Sequence, residues 1–247
     1  MKTKLFRLNE LPVAGELIAN GELVAFPTET VYGLGADARN ADAVRAIFTA
    51  KGRPADNPLI VHIADFEMIY EIASEVPEIA VRLAKAFWAG PLTMVLPKRP
   101  EIPSVTSGGL DTVGIRMPSH PVAQELIRLA GCPIAAPSAN RSGKPSPTTA
   151  KHVMDDMEGR IAGVIDGGLC EVGVESTVIC FDDAETIHIL RPGIISEEDL
   201  QPFAKNVYVD KAVYSQIAPD AKVASPGMKY KHYAPKAKIL PVETDSF

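Results

Sequence analysis

Lys51 and Arg53 stand on alternate residues in Lys51-Gly-Arg-Pro-Ala-Asp-Asn-Pro58, and two prolines close behind stiffen the backbone. Cations so placed suit phosphate or carboxylate oxygens, and a guanidinium can grip two at once. A helix end that offsets its dipole with basic residues is the plainer alternative; it fits Lys51 better than Arg53, which lies beyond Gly52. On this segment alone both readings stand open. A second polar group, Pro137-Ser138-Ala139-Asn140, follows the short apolar run Ile134–Ala136. Hydroxyls, an amide and backbone N–H groups at a strand end are the materials of nucleotide binding in an α/β fold. A proline turn whose Ser and Asn bond their own backbone is the competing account. Arg116 closes the strand-like Val113–Arg116, where burial without an anion is costly, so it leans toward function. His62 lies inside the apolar run Leu59–Ile63, where a satisfied core histidine is the commoner reading.

Other chemistries find little support. Gly33-Leu-Gly35 with Ala38 loosely matches the dinucleotide fingerprint, but the acidic residue that should follow about twenty positions on is Asp56, in the Lys51 loop. The two glycines read instead as turn or close-approach positions. No Gly-x-x-x-x-Gly-Lys-Ser/Thr loop is present, so ATP would have to be held by other means. The 5 histidines lack metal-ligand spacing, and the 3 cysteines, Cys132, Cys170 and Cys180, are widely spaced in apolar sequence. No dedicated metal site or disulfide frame is expected.

The elements that must position these groups follow from periodicity and turn signals. Strands are expected at Glu22–Pro27, Leu59–Ile63, Leu92–Leu96, Val113–Arg116, Ile134–Ala136, Gly163–Asp166, Ser176–Phe181 and Thr186–Leu190. Helices are expected from an Asn40 or Asp42 cap to Gly52, over Glu67–Ala73, Pro77–Trp88 and Val122–Ala130, and from Thr148 or Thr149 to Met157. Alternation early and consecutive strands late imply an α/β domain with a mixed sheet. At 247 residues, 46% hydrophobic and 23% charged, the chain has ordinary globular composition, with no apolar run long enough to span a bilayer. No hydrophobic signal core follows the basic start Met1-Lys-Thr-Lys, so a cytoplasmic protein is the simplest expectation. Net charge is −6. Yet Lys51, Arg53, Arg116, Arg141, Lys144 and Arg191 all adjoin turn-rich sequence, a distribution open to one anion pocket or to scattered solubility charge. Composition shifts after about Phe203, and prolines surround the polar run Lys229-Tyr-Lys-His-Tyr. The expected division is a catalytic domain over 1–205, a linker over 206–236 and the start of a further domain over 237–247.

Taken together the segments are specific. Pro27-Thr-Glu-Thr-Val-Tyr-Gly-Leu-Gly35, Lys-Gly-Arg-Pro-x-x-Asn-Pro-Leu, Gly90-Pro-Leu-Thr93, Val-Gly-Ile-Arg-Met-Pro, Ala-Pro-Ser-Ala-Asn-Arg-Ser-Gly, Glu-Ser-Thr-Val and Leu-Arg-Pro-Gly occur in this order. The set closely resembles the YrdC-type L-threonylcarbamoyl-adenylate synthases, and Ser225–Pro235 resembles the linker of the family's long, two-domain form. The resemblance covers residues 8 to 240. It implies a YrdC-like fold, a twisted mixed sheet with flanking helices around a concave, positively charged pocket. It implies formation of threonylcarbamoyl-AMP and pyrophosphate from L-threonine, bicarbonate and ATP, with Mg²⁺ held mainly by the ATP phosphates. A separate transferase complex would then modify tRNA, with at most a weak tRNA contact by this chain and none with a membrane. By the same resemblance Lys51, Arg53, Ser138 and Asn140 are the catalytic group. Threonine falls to Thr30, His62, Arg116, Ala136 and Ser176, and ATP to Arg53, Asn57, Thr112, Ser138, Ser146 and Arg191. Tyr230 and His232 become lid residues on the linker. The sequence departs from the long form at its end, where only a first strand of the second domain, Ala237–Val242, is expected.

Three other functions compete. An RNA-binding module is disfavoured by the acidic balance and the lack of basic–aromatic interleaving. A carbamoyl-transfer enzyme using the same pocket is disfavoured by the long-form linker, and a silent regulatory protein by the complete set of motifs.

Overall fold

The computed structural model describes residues 2–55 and 57–213. Strands β1 (Lys4–Phe6), β2 (Val24–Phe26), β3 (Gly33–Asp37), β4 (Ile60–His62), β5 (Leu92–Pro97) and β6 (Thr112–Arg116) share one sheet with β7 (Ile134–Ala135), β8 (Gly163–Ile165), β9 (Thr177–Phe181), β10 (Thr186–Arg191) and β11 (Asn206–Val209). The order across it is β1-β8-β2-β3-β7-β4-β6-β5-β9-β10-β11. Five neighbouring pairs run parallel and five antiparallel, the mixed sheet expected from the sequence. Helices α1 (Leu11–Ala19), α2 (Ala41–Lys51), α3 (Ile69–Ile72), α4 (Glu78–Phe87), α5 (Pro121–Ala130), α6 (Ala150–Met157) and α7 (Glu197–Leu200) flank it. None of the described helices is long and apolar enough to cross a membrane.

Strand alternation sorts side chains between two unequal cores. Leu59, Val61 and Ile63 pack with Val44 and Ile47 of α2, Leu83 of α4 and Val153 of α6 in the larger one. On the opposite face Phe6, Phe26, Ile134 and Ile165 pack against Ile18 of α1 and Leu126 of α5. No strand residue of that second core comes from β5, β6, β9 or β10. Over this part of the face Ile60, Val95, Val178 and Leu190 form only a small cluster of their own. The α1–α5 pair therefore leaves half of one sheet face to the functional site.

Local signals explain the element that carries Lys51. The Asn40 side chain accepts from the Asp42 and Ala43 amides at 3.1 Å each, capping the first turn of α2. Gly52 ends the helix in the left-handed region, with φ 62°, as a C-terminal glycine does. Thr149 caps α6 in the same way as Asn40 caps α2, accepting from His152 N.

Gly33 and Gly35 need a correction. Neither has a positive φ, and both lie inside β3 instead of a turn. Close approach is nonetheless their role: a Cβ on Gly35 would sit 2.8 Å from Ile134 Cγ2 and 2.9 Å from Phe26 Cε1. Strands β1, β3 and β11 and helices α1 and α7 are additions to the expected elements, and β11 carries the sheet past residue 205. Replacing Gly35 by Ala should destabilise the protein by about 1–3 kcal/mol through overpacking, measured by urea denaturation. Unchanged stability would contradict the close contact of β3 with Phe26 and Ile134.

Candidate functional site

Register brings three polar side chains into one row across the open half-face. His62 on β4 pairs with Arg116 on β6, and Arg116 pairs with Thr93 on β5. Paired residues on adjacent strands project to the same side. His62 and Arg116 are both 4% exposed and line a cavity of about 250 Å³. Thr28, Thr30 and Ala136–Ser138 line it too, as do Glu175, Ser176, Arg191 and Arg53. Its charged lining is Arg53, Arg116, Arg191 and Glu175, with Arg116 paired in turn to Glu29 behind it.

Arg116 is held from several sides. Nη1 donates to Thr30 Oγ1 at 2.9 Å and Nε to Gly90 O at 3.2 Å. Nη2 lies 2.7 Å from Glu29 Oε1, an ion pair between side chains only 4% and 6% exposed. The contact is close but not aligned as a hydrogen bond, so both atoms remain without a hydrogen-bond partner among the described residues. Glu29 Oε2 accepts from the Ser119 amide at 3.2 Å. The anion that burial of Arg116 demands is thus supplied within the chain, by a residue that sequence reasoning quoted in a motif without singling it out. His62 is neutral: burial first, then the Arg116 charge, pull its pKa from 6.5 down to about 3. Its Nδ1 is buried without a hydrogen-bond partner among the described residues.

Lys51 and Asn140 serve the site from behind. The Lys51 ammonium is 3% exposed and absent from the cavity wall. It donates to Ser138 O, to Asn140 O at 2.5 Å and to Asn140 Oδ1 at 3.5 Å. Asn140 Nδ2 in turn donates to Arg141 O at 2.9 Å and Lys144 O at 2.7 Å. Burial, and then the nearby Arg53 charge, pull the Lys51 pKa from 10.5 down to about 7, with Asp156 opposing. The turn through Gly52 separates the two cations, so that Arg53 lines the cavity and Lys51 does not.

The other expected residues divide similarly. Arg191 folds over Ser176, donating from Nε and Nη2 to its carbonyl at 3.1 and 3.0 Å and from Nη2 to its hydroxyl at 3.0 Å. Ser146 Oγ donates to Glu175 Oε1 at 2.5 Å, so it reaches the cavity through that carboxylate. Ala136 lines the wall, its amide committed to Ile60 O at 2.9 Å. Asn57 and Thr112 are not on the wall. The parallel register that sets Ile60 beside Gly114 runs back to place both at the opposite end of β4 and β6 from His62 and Arg116. Asn57 is fully buried, and neither polar atom of its side chain has a hydrogen-bond partner among the described residues. Tyr230 and His232 lie outside the described residues. No group of three or more His, Cys, Asp or Glu among the described residues could hold a metal ion.

The Sua5/YciO/YrdC family model, described as Telomere recombination, matches residues 16–193. A second, described as Threonylcarbamoyl-AMP synthase, C-terminal domain, matches residues 195–247. A protein of Pyrococcus abyssi named threonylcarbamoyl-AMP synthase is 54% identical over 95% of this chain and 68% of its own length. One of the same name from Bacillus subtilis is 54% identical over 93% of this chain and 66% of its own. The chain thus spans about two thirds of the length of these relatives. The crystal structure of P. abyssi Sua5 complexed with L-threonine superposes with a TM-score of 0.90 at 52% identity, over 96% of this chain and 70% of that one. E. coli YciO, at 23% identity and a TM-score of 0.70, shares the fold. With the family model matching residues 16–193 and relatives 54% identical along most of its length, the chain belongs to the Sua5/YciO/YrdC family.

Proposed function

We propose that this chain is a threonylcarbamoyl-AMP synthase, which joins L-threonine, bicarbonate and ATP into threonylcarbamoyl-AMP with release of pyrophosphate. The observation that carries the reading is the buried cavity floor of Arg116 and His62, the latter with Nδ1 lacking a hydrogen-bond partner among the described residues, in a chain 52% identical to a structure that holds L-threonine.

Charge sets the requirement. A carboxylate, bicarbonate and a triphosphate repel one another in water, and meeting in one cavity needs fixed positive charge before any bond forms. Arg116 takes the threonine carboxylate, with Thr30 and Ser176 orienting the remaining polar groups. The neutral amine attacks carbon dioxide or the bicarbonate carbon, losing a proton and, from bicarbonate, hydroxide, to give a carbamate. A carbamate oxygen then forms a bond to the α-phosphorus while the α–β bridging P–O bond breaks, and pyrophosphate leaves toward Arg53 and Arg191. Lys51 acts by holding the Ser138–Asn140 backbone in place. Mg²⁺ bound to the phosphates would neutralise part of their charge; Glu175, Ser146 and Ser138 offer the oxygen donors it takes, and phosphate oxygens the rest. The linker bearing Tyr230 and His232 would shield the mixed anhydride from water. The product would pass to a separate transferase complex acting on tRNA, and a cytoplasmic location accords with that role.

The protein incubated with ATP, Mg²⁺, threonine and labelled bicarbonate should yield labelled adenylate by mass spectrometry, and omission of threonine must abolish it. Lys51→Ala/Arg53→Ala should lower pyrophosphate release by about 100-fold or more; near-wild-type release by a folded double variant would sink the assignment. Because His62 stays neutral, the pH profile of threonine affinity between about pH 5 and 8 should be the same in the wild type and in His62→Asn, with any Lys51 titration near 7 common to both. A step near the ordinary histidine pKa of 6.5 in the wild type alone would show the imidazole titrating in the site.

A further inference from the structure

Thr93 was no more than part of a sequence motif, yet it completes the polar row on the open half-face. It is fully buried, at a position that valine would fill with the same shape and no polar atom to satisfy. Its Oγ1 lies 2.8 Å from Ser176 Oγ, and among the described residues its side chain has no other hydrogen-bond partner. Ser176 Oγ also accepts from Arg191 Nη2 at 3.0 Å.

Counting protons fixes the sense of this chain. A hydroxyl donates once and accepts twice. Were Ser176 to give its proton to Thr93, the Thr93 proton would be stranded in the sheet with no acceptor, which burial penalises. Thr93 is therefore the donor. With Thr93 and Arg191 both donating to it, Ser176 Oγ has its lone pairs engaged and only its proton left for the cavity. Thr30 Oγ1, also on the cavity wall, accepts from Arg116 Nη1 at 2.9 Å. Its neighbour Thr28 Oγ1 is occupied locally, donating to Val31 O at 2.7 Å and accepting from the Thr30 and Val31 amides at 3.2 Å each.

We infer that Thr93 is a positioning residue that locks Ser176 as a hydrogen-bond donor to an oxygen of the amino-acid substrate. The inference rests on the proposed reaction and deepens it. The carboxylate or hydroxyl oxygen of the amino acid then meets Ser176.

Calorimetric titration of L-threonine into the full chain tests this. Thr93→Val should weaken threonine about tenfold, the size of one hydrogen bond to such a ligand, and leave ATP affinity unchanged. Thr93→Ser should restore it. The double variant Thr93→Val/Ser176→Ala should bind no more weakly than Ser176→Ala alone, because both changes break the same chain. Wild-type threonine affinity in Thr93→Val, equal loss of threonine and ATP, or full additivity with Ser176→Ala would overturn the inference. Should the valine variant not fold, Thr93→Ala carries the same expectations. Failure of the wild-type protein itself to bind threonine would be a different result, since it would remove the proposed function.

Discussion

One buried ammonium ties the cavity together. Lys51 sits at the end of α2, and its Nζ donates to oxygens of Ser138 and Asn140, residues 87 and 89 positions away in the chain. Two further backbone bonds close the same seam, Ser142 N to Lys51 O at 3.0 Å and Ala139 N to Tyr32 O at 2.8 Å. A charge kept this far from water must be well supplied with acceptors, and main-chain carbonyls meet that need without a counter-ion. The consequence is a loop whose backbone is set by a side chain beneath it. Ser138 can then face the cavity while Asn140 braces the turn that follows.

The remaining positive charge is deployed differently on each side. Arg116 stands in the floor with Glu29 behind it, so the pair brings little net charge, but it places a guanidinium on the cavity wall. Arg53 and Arg191 line the wall, Arg191 against Ser176. Such a split suits one ligand that carries both a carboxylate and an amine, and another that carries only negative charge. The half-face left uncovered by α1 and α5 supplies the room, and the small cluster of Ile60, Val95, Val178 and Leu190 supplies its apolar base.

Much of this was legible in the residues. Asn40 and Gly52 bound α2 as their chemistry predicts; Arg53, Arg116, Ser138 and Ser176 line one cavity, and Lys51 bonds the loop behind it. What escaped has a common physical cause. The row of His62, Arg116 and Thr93 exists only because three strands distant in sequence share a register, and no local pattern encodes that. Glu29 and Thr93 lay in plain view within motifs, but their partners Arg116 and Ser176 are 87 and 83 positions away. Strand β3 was hidden because its glycines read equally as turn or close-approach positions, and only the contacts with Phe26 and Ile134 decide for the second. The Lys51 loop looked like a ligand grip for both cations; only the turn at Gly52 reveals that one faces the cavity and the other the protein.

The central claim is that Lys51 builds the cavity instead of merely lining it. Amide hydrogen exchange over residues 137–142, compared between the ligand-free wild-type protein and Lys51→Met, tests it most directly. The expected result is exchange faster by about tenfold or more in the variant, from loss of charge-assisted hydrogen bonds, with the rest of the sheet unchanged. Equal protection of this segment in both proteins would contradict the account.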